Sequence, residues 1–499
     1  MVRIEINNAT FEDELNLKYR RSFQRLPPVD SIQTATVDFN KDFYWTATIK
    51  PENSLATKGN VVEISLPKWV KYKVVVFEKN GNYLTEQNYT YGKEDEKTNL
   101  LLQEIKEYVF VVYSINSVDE LPEICFTDQK NKTLATAYVQ VEGNSDFMYF
   151  RKNLTLKANM VNYLNVVLKH KFSEITTVFD VSRTGYKLTG LASVFSPHYT
   201  LANVNLENGT INRLGNISKS ALIFTANERN SFNTIINADI SKNISYTISS
   251  ITIGPLVQTD FKPIQNLKVT PGVKYTLKLT LNPKDVYLTH AGYPAARING
   301  DIWMRHNLGA EYSANPDKLP ITANRHGNYY QWGMHTIVAN GDSNFPITNA
   351  IIRDDYLSAK RWNAGTIDTP IKTANDPCPN GYRVPTQLEY DNLLKNTVNT
   401  TIGSFILGNT AFDSAKKFTS KRNIKVFLTF PTQGNFYIDL RNNFSLENRG
   451  RKGFYHSSTL YGNNVYTLFF NKNVTYRSYP QYLYANTLAQ AKPIRCIAQ

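Results

Sequence analysis

Three kinds of residue in this chain could do chemistry: thiols, a scatter of histidines and carboxylates, and clustered basic side chains. Cys125, Cys378 and Cys496 are the thiols, and three cannot all pair within one chain. No CxxC pair and no Cys/His zinc spacing occurs. Cys125, in Pro122–Phe126, reads as a buried strand thiol. Cys378 and Cys496 are either a pair or two reduced thiols. His306, His326 and His335 stand 20 and 9 residues apart, which fits no helical or hairpin metal motif. Asp354, Asp355, Asp368 and Asp376 could offer oxygen ligands to calcium, and no other cofactor is expected. There is no nucleophile elbow and no phosphate-cradling glycine loop. These residues compose no catalytic centre, and the expectation is a protein that is not an enzyme.

The basic side chains carry more. The formal charge is +14, and residues 291–499 hold 23 Lys+Arg against 13 Asp+Glu, or +10. The excess peaks at Lys416, Lys417, Lys421, Arg422, Lys425, Arg441, Arg449, Arg451 and Lys452. Such a face attracts anionic partners or is simply solvated. No nucleic-acid motif accompanies it, so nucleic acid is not expected. The tail is dense in tyrosine: Tyr437, Tyr455, Tyr461, Tyr466, Tyr476, Tyr479, Tyr482 and Tyr484. Rings with Asn and Arg nearby suit sugar or protein contact; the alternative is that they are the core of a loop-rich fold. Arg449, Arg451, Lys452 and Tyr455 are therefore the candidate ligand contacts. Near the start, Arg20, Arg21 and Arg25 precede Leu26-Pro27-Pro28. They read as a trypsin-like processing site, Arg25 foremost, or as an ordinary linker.

The elements that must position these groups are mainly strands. A chain of 499 residues makes about three domains. No apolar run approaches 18 residues, so no transmembrane helix is expected. Val2, Ile4 and Ile6 alternate with polar residues as a short strand with one buried face. Residues 61–66, 72–77 and 108–113 are strands, and Asn80-Gly81-Asn82 is a hairpin turn between two of them. A second set follows near residues 163–170, 175–181, 221–225, 244–253 and 275–281, separated by Asn-rich turns at 205–216. His170, at a strand end, reads as structural. Residues 1–150 and 151–285 are thus two antiparallel β-sandwiches. Residues 286–499 mix aromatic-rich loops with strands and one helix. That helix starts at Thr386, where Thr386 and Glu389 form a capping box and Leu388, Leu393 and Leu394 face the core.

Two resemblances follow from motifs. Residues 300–310 (Gly300-Asp301-Ile302-Trp303 to Ala310), 327–333 (Gly327-Asn328-Tyr329-Tyr330-Gln331-Trp332-Gly333), 376–390 (around Cys378-Pro379-Asn380-Gly381-Tyr382-Arg383) and Pro493-Ile494-Arg495-Cys496 occur in that order. Together they resemble the major paralogous domain of Fibrobacter and Bacteroidetes surface proteins, a relative of C-type-lectin-like folds and, more distantly, of formylglycine-generating enzymes. That resemblance implies a Cys378–Cys496 disulfide and an oxidising compartment. It also implies that two-thiol enzyme chemistry is absent. Asn315-Pro316-Asp317 and Trp362-Asn363 are similar to the calcium-dependent sugar site of true C-type lectins, in an arrangement that does not align. The segments 108–117, 168–172 and 271–279 resemble Bacteroidales fimbrillins, the subunits of type V pili, with two transthyretin-like sandwiches. This implies a subunit that accepts a strand donated by a neighbour and presents an adhesin domain to a host or microbial surface glycan or protein. It implies export, with a precursor lipid-anchored to the outer membrane. Residues 1–6 do not read as a signal peptide, so that signal would be absent from this chain. A C-terminal domain tied by a disulfide would accept but not donate, which implies the pilus tip. The alternatives are a surface lipoprotein that binds glycans outside a pilus, and an exported enzyme of the formylglycine-generating type.

Overall fold

The computed structural model describes residues 2–11, 32–52, 65–97, 100–227, 229–348, 361–438, 443–461, 464–478 and 490–499. The protein is mainly β, and its strands form two compact units, Met1–Asn282 and Pro283–Gln499.

Among the described residues the first unit forms three sheets. Sheet one runs in the spatial order β1 (Val2–Thr10), β10 (Asn162–His170), β9 (Met148–Thr155), β6 (Glu107–Ser114), β4 (Lys71–Glu78) and β5 (Tyr83–Thr90). Sheet two runs β14 (Ser231–Ile236), β11 (Ser173–Asp180), β17 (Lys274–Pro283), β3 (Phe43–Pro51) and β2 (Gln33–Asp38). Sheet three runs β16 (Leu256–Leu267), β15 (Ile244–Ile253), β12 (Leu188–Asn205), β8 (Ala137–Glu142) and β7 (Ile124–Phe126), with β13 (Ile211–Leu222) also paired to β12.

Burial explains the sequence pattern of each strand. Sheet one carries a core on both faces. Ile4, Val74, Phe110 and Leu164 lie on one, and Val75, Val111 and Tyr113 on the other pack against Val139, Ala202 and Val204 of sheet three. β4 and β6 therefore read as unbroken apolar runs, as strands buried on both sides do. The hairpin joining β4 to β5 turns at Asn80-Gly81-Asn82. Gly81 there has φ +92°, a conformation that favours glycine, and the Asn80 side chain accepts from the Asn82 amide at 3.0 Å.

Chain order and sheet order differ. β9 runs through residue 150, and β3, with β2 beside it, joins the sheet of β17 and β11, so pairings cross that position. β12 serves two packings. Its residues 188–196 pair with β15, whose Tyr246 and Ile248 pack with Trp45, Ile175 and Leu277 of sheet two; its residues 201–205 pair with β8. Two strand expectations shift. The strand expected at 221–225 is the end of β13, which stops at Leu222, and the Asn-rich turn narrows to residues 206–210 because Asn212 and Asn216 both lie within β13, Asn212 paired with Asn203. Residues 61–64 lie outside the described residues, with Leu66 buried just beyond them.

The second unit is built from short strands. One sheet runs Val286–His290, Tyr293–Ile298, Asp301–Met304, Ile497–Ala498 and Tyr382–Arg383. Another runs Ile337–Ala339, Tyr329–Gln331, Ala491–Lys492, Asn435–Ile438 and Phe444–Glu447. Two three-stranded sheets, Thr397–Ile402 with Ala415–Ser420 and Phe427–Pro431, and Gly453–Tyr461 with Asn464–Phe470 and Thr475–Ser478, complete it. Helix α1 (Gln387–Asn396) begins where the sequence places it. Thr386 Oγ1 accepts from the Glu389 amide, and the Glu389 carboxylate accepts from the Thr386 amide at 2.7 Å. Leu393 is buried with Tyr390, while Leu388 and Leu394 are half-buried.

Candidate functional site

β1 is the first candidate. It pairs in parallel with β10, from Val2 opposite Asn162 to Thr10 opposite Lys169, with one irregularity between Ile6 and Asn8. Every second side chain points inward, so Val2, Ile4 and Ile6, with Ala9, complete one core of sheet one. Away from β10 its described contacts include one antiparallel backbone bridge, Val2 to Leu100, and an exposed ion pair of Arg3 with Asp95 at 4.0 Å. Phe11 follows the strand and stacks on His170 with ring centroids 3.7 Å apart, and His170 Nδ1 meets Asp146 Oδ1 at 2.5 Å. His170 is thus held as a structural group. Arg20, Arg21 and Arg25 lie outside the described residues.

The second candidate is the motif-bearing region of the second unit. Sulfurs of Cys378 and Cys496 are bonded at 2.08 Å, and Cys125 is free and half-buried on β7. The loop around Cys378 is fastened by buried polar groups. Asp376 accepts from the amides of Cys378 and Val384 at 2.9 and 2.7 Å, and lies 3.5 Å from Lys372 Nζ. Lys372 in turn donates to the carbonyls of Cys378, Pro379 and Tyr382. Arg383 meets Glu389 through Nη1 and Nη2 at 2.8 and 2.5 Å, tying the strand to the helix cap.

Three of the four spaced motifs meet in one buried polar hub, and the fourth is tied to it through the Cys378–Cys496 bond. Arg495 donates to Asn307 Oδ1 from Nε and Nη2 at 3.0 and 2.7 Å, and to the carbonyls of Met304, Arg305 and Thr429. Asn307 Nδ2 donates to Gln433 Oε1 at 2.9 Å and to Tyr455 Oη at 3.0 Å. The Gln433 side chain holds Gly327 through both its amide and its carbonyl. Burial lowers the Arg495 pKa to about 10, nearby phenols opposing. A side chain at Gly327 would come within 2.4 Å of the Leu308 carbonyl, so the two motifs touch through backbone. These motif residues hold the fold; they do not open onto a ligand.

Of the expected ligand contacts, two need correction. Arg449 is 1% exposed. Its guanidinium donates to Asn344 Oδ1 at 2.6 Å, the carbonyls of Asn409 and Ser343 at 2.8 and 2.6 Å, and, at 3.3 Å, Tyr329 Oη and the Gly341 carbonyl. Tyr455 is fully buried, donating to the Pro431 carbonyl at 2.9 Å. Neither offers a face to solvent. A basic residue is drawn inside here because carbonyls from several loops converge on it. Arg451 is exposed and Lys452 half-buried. In the same run Lys416 is also buried, donating to the Lys472 carbonyl at 3.1 Å. Lys417 lies over the Phe427 ring at 3.7 Å, and Arg441 lies outside the described residues. Of the tail tyrosines, Tyr466 is buried and Tyr437 half-buried; Tyr479, Tyr482 and Tyr484 lie outside the described residues.

The expected metal groups do not gather among the described residues. His306 and His326 are buried with Nε2 against the carbonyls of Ala314 and Phe412, at 2.7 and 3.2 Å, while His335 is exposed. Burial lowers the His306 pKa and takes that of His326 down to about 3. Asp376 is occupied as above and Asp368 is exposed; Asp354 and Asp355 lie outside the described residues. Asp317 pairs with Arg305 and accepts from Thr429 Oγ1, and Asn363 closes its own turn through Gly365 and Ile371. The sequence did not single out Asn307, Gln433 or Lys372; the place of Asn307 inside the 300–310 motif was the available signal.

No protein-family model matches the chain, and no curated protein does. Solved structures do match. A candidate cell adhesion protein from Bacteroides fragilis is 14% identical, with 58% of this chain and 99% of that one covered and a TM-score of 0.33. A fimbrial assembly protein from Parabacteroides distasonis is 14% identical over 48% of this chain and 88% of its own, with a TM-score of 0.28. A candidate adhesin from Bacteroides thetaiotaomicron is 13% identical over 39% and 72%, with a TM-score of 0.27. At such scores these likenesses carry no part of the functional reading.

Proposed function

We propose that this chain is a structural and adhesive subunit of a bacterial type V fimbria, not an enzyme. Its first unit corresponds to two transthyretin-like sandwiches and its second to a C-type-lectin-like adhesin domain. The observation that carries the reading is the placement of β1. It is an edge strand, parallel to β10, and it fills a core through Val2, Ile4 and Ile6. The chain joining it to the remainder contains Arg20, Arg21 and Arg25. Cleavage there frees β1 to leave, which would uncover an apolar slot and one unpaired ladder along β10. Backbone pairing with a strand from a neighbouring subunit refills both at once, and removes an edge that would otherwise aggregate.

The tip position belongs to the same reading. Ile497–Ala498 lies inside a sheet, flanked by Asp301–Met304 and Tyr382–Arg383, beside the bonded Cys496. In the adhesin unit Arg451 and Lys452 remain as contact candidates, so acidic surface ligands are the preferred class. A cell-surface site and a lipid-anchored precursor complete the reading.

Limited digestion with a trypsin-like protease tests it. The first cut is expected at Arg25, or at Arg21 or Arg20, with the remainder intact, as read by N-terminal sequencing. A first cut elsewhere, with residues 1–25 protected, would argue against maturation at this site.

A further inference from the structure

Sheet one ends, at the pole where β1 begins, in two loops that expose apolar side chains. On one loop Leu101 is 92% exposed and Ile105 77%; on the other Met160 is 50% exposed and Val161 39%. The loops are joined to each other. The Ile105 amide donates to the Leu156 carbonyl and the Leu156 amide to that of Lys106, each at 2.9 Å, and the Asn159 amide donates to the Glu104 carboxylate at 3.2 Å. Both loops are also tied to the first residues of β1. Val2 bridges Leu100 and stands opposite Asn162. The Asn162 side chain accepts from the Lys157 amide at 2.8 Å and donates to the carbonyls of Lys157 and Met160 at 3.1 and 3.3 Å. The apolar patch therefore frames the Val2 end of the β1 slot.

Ile105 has φ +60°. That left-handed region strains an L residue, a β-branched one most of all. Asn159, at φ +55° in the facing loop, is a residue suited to it; isoleucine is not. Exposed as it is, Ile105 gains nothing from a core, so neither the turn nor packing within the chain accounts for it. Strain combined with an exposed apolar side chain points to contact with another molecule. The same loop lines a cavity of about 480 Å³ where Leu84, Leu100, Leu101 and Leu102 stand among polar neighbours, with room for an anchoring side chain. Exposed Glu104, Lys106 and Lys157 give the patch a polar rim. The other end of the slot differs: beside Thr10 the polar Lys169, Asn208 and Thr210 are exposed.

We infer that residues 100–106 and 156–161 are the seat for the body of the neighbouring subunit whose strand takes the place of β1. This rests on the fimbrial reading and adds to it where the neighbour's body lies. A donated strand is part of a folded neighbour, so its chain runs on beyond the slot at one end. Apolar contact inside a polar rim suits a protein body, and of the two ends the Val2 end offers it.

Lys106 and Lys157 can anchor a cross-linker with one amine-reactive and one diazirine end, applied to fimbrial material sheared from the cell surface. Both lysines, and Lys169, should be joined to a different subunit. Lys169 joined to a different subunit, with Lys106 and Lys157 joined only to their own chain, would overturn the seat and leave strand exchange standing. Lys169 joined only to residues 2–10 of its own chain would remove strand exchange and the seat with it. Variants of the full chain give a separate reading. Leu101→Ser combined with Met160→Ser should lower incorporation into fibres about tenfold, as loss of an interface anchor does. The melting temperature, and rebinding of a synthetic peptide of residues 2–11 to cleaved protein, should not change. Ile105→Asn relieves the strain, so it should raise the melting temperature by a few degrees while lowering incorporation. Incorporation of both variants at the unsubstituted level, or incorporation lost only together with folding or peptide rebinding, would overturn the assignment.

Discussion

Loss of β1 after cleavage should be the most consequential event in the life of the first unit. Val2, Ile4 and Ile6 are 3%, 7% and 9% exposed. Full burial of such a side chain contributes about 1.5–3 kcal/mol, so the three together contribute roughly 5–9 kcal/mol. That is comparable to the whole stability of a typical domain, about 5–15 kcal/mol. While the linker is intact β1 is held as part of the same chain. Once it is cut, β1 binds as a separate peptide and dilution favours its departure. The assay is hydrogen exchange on protein cut at Arg25 and freed of peptide by gel filtration. Amides of β10, residues 162–170, should lose protection and the melting temperature should fall. A synthetic peptide of residues 2–11 should restore both. Unchanged protection and melting after complete removal of the peptide would refute the reasoning, because β1 would then not stabilise the sheet.

Further outcomes follow from the second unit. Replacing Cys378 and Cys496 by alanine removes a cross-link spanning 118 residues, and should destabilise that unit by roughly 4–5 kcal/mol in the chain-entropy account, read by denaturant unfolding. Arg449→Met strands several buried carbonyls and should cost about 3–5 kcal/mol, whereas Arg451→Glu, at an exposed position, should stay within about 0.5 kcal/mol. His326 is neutral in the fold with a pKa near 3, against about 6.5 unfolded. The unfolded chain therefore takes up the proton first, so the stability this group contributes above pH 6.5 is lost as pH falls towards 3, by about 1.4 kcal/mol per pH unit. Melting followed from pH 7 to 4 should show at least this slope, because burial also lowers the pKa of His306 and His456, and His326→Gln should lessen it by about one proton's share.

Local features were legible in the sequence and partner choices were not. The Asn80–Asn82 hairpin, the capping box at Thr386 and the alternation of Val2, Ile4 and Ile6 each depend on a few adjacent residues, and each appears in the structure. The pairing of β3 with β17 spans more than 200 residues, and nothing local in Phe43–Pro51 specifies that partner. Burial of charge was equally hidden. Arg449 and Arg451 are near neighbours in a basic run, yet only Arg449 meets the carbonyls of residues 341, 343 and 409. Convergence of distant loops decided which of the two is inside. The same holds for Arg495, whose motif neighbours marked a family likeness while its task is to join Asn307 to Thr429.

The claim that a neighbour's strand takes the place of β1 can be measured on assembled material. Lys169 of β10 is exposed and stands opposite Thr10, so a cross-linker with one amine-reactive end and one photoreactive diazirine end, which inserts into any nearby side chain, reports on whatever lies in that slot. Fimbrial material sheared from the cell surface should yield cross-links from residues 162–171 to a peptide of a different subunit, with residues 2–10 absent. Cross-links from Lys169 to residues 2–10 of the same chain alone, in assembled fibres, would contradict the account.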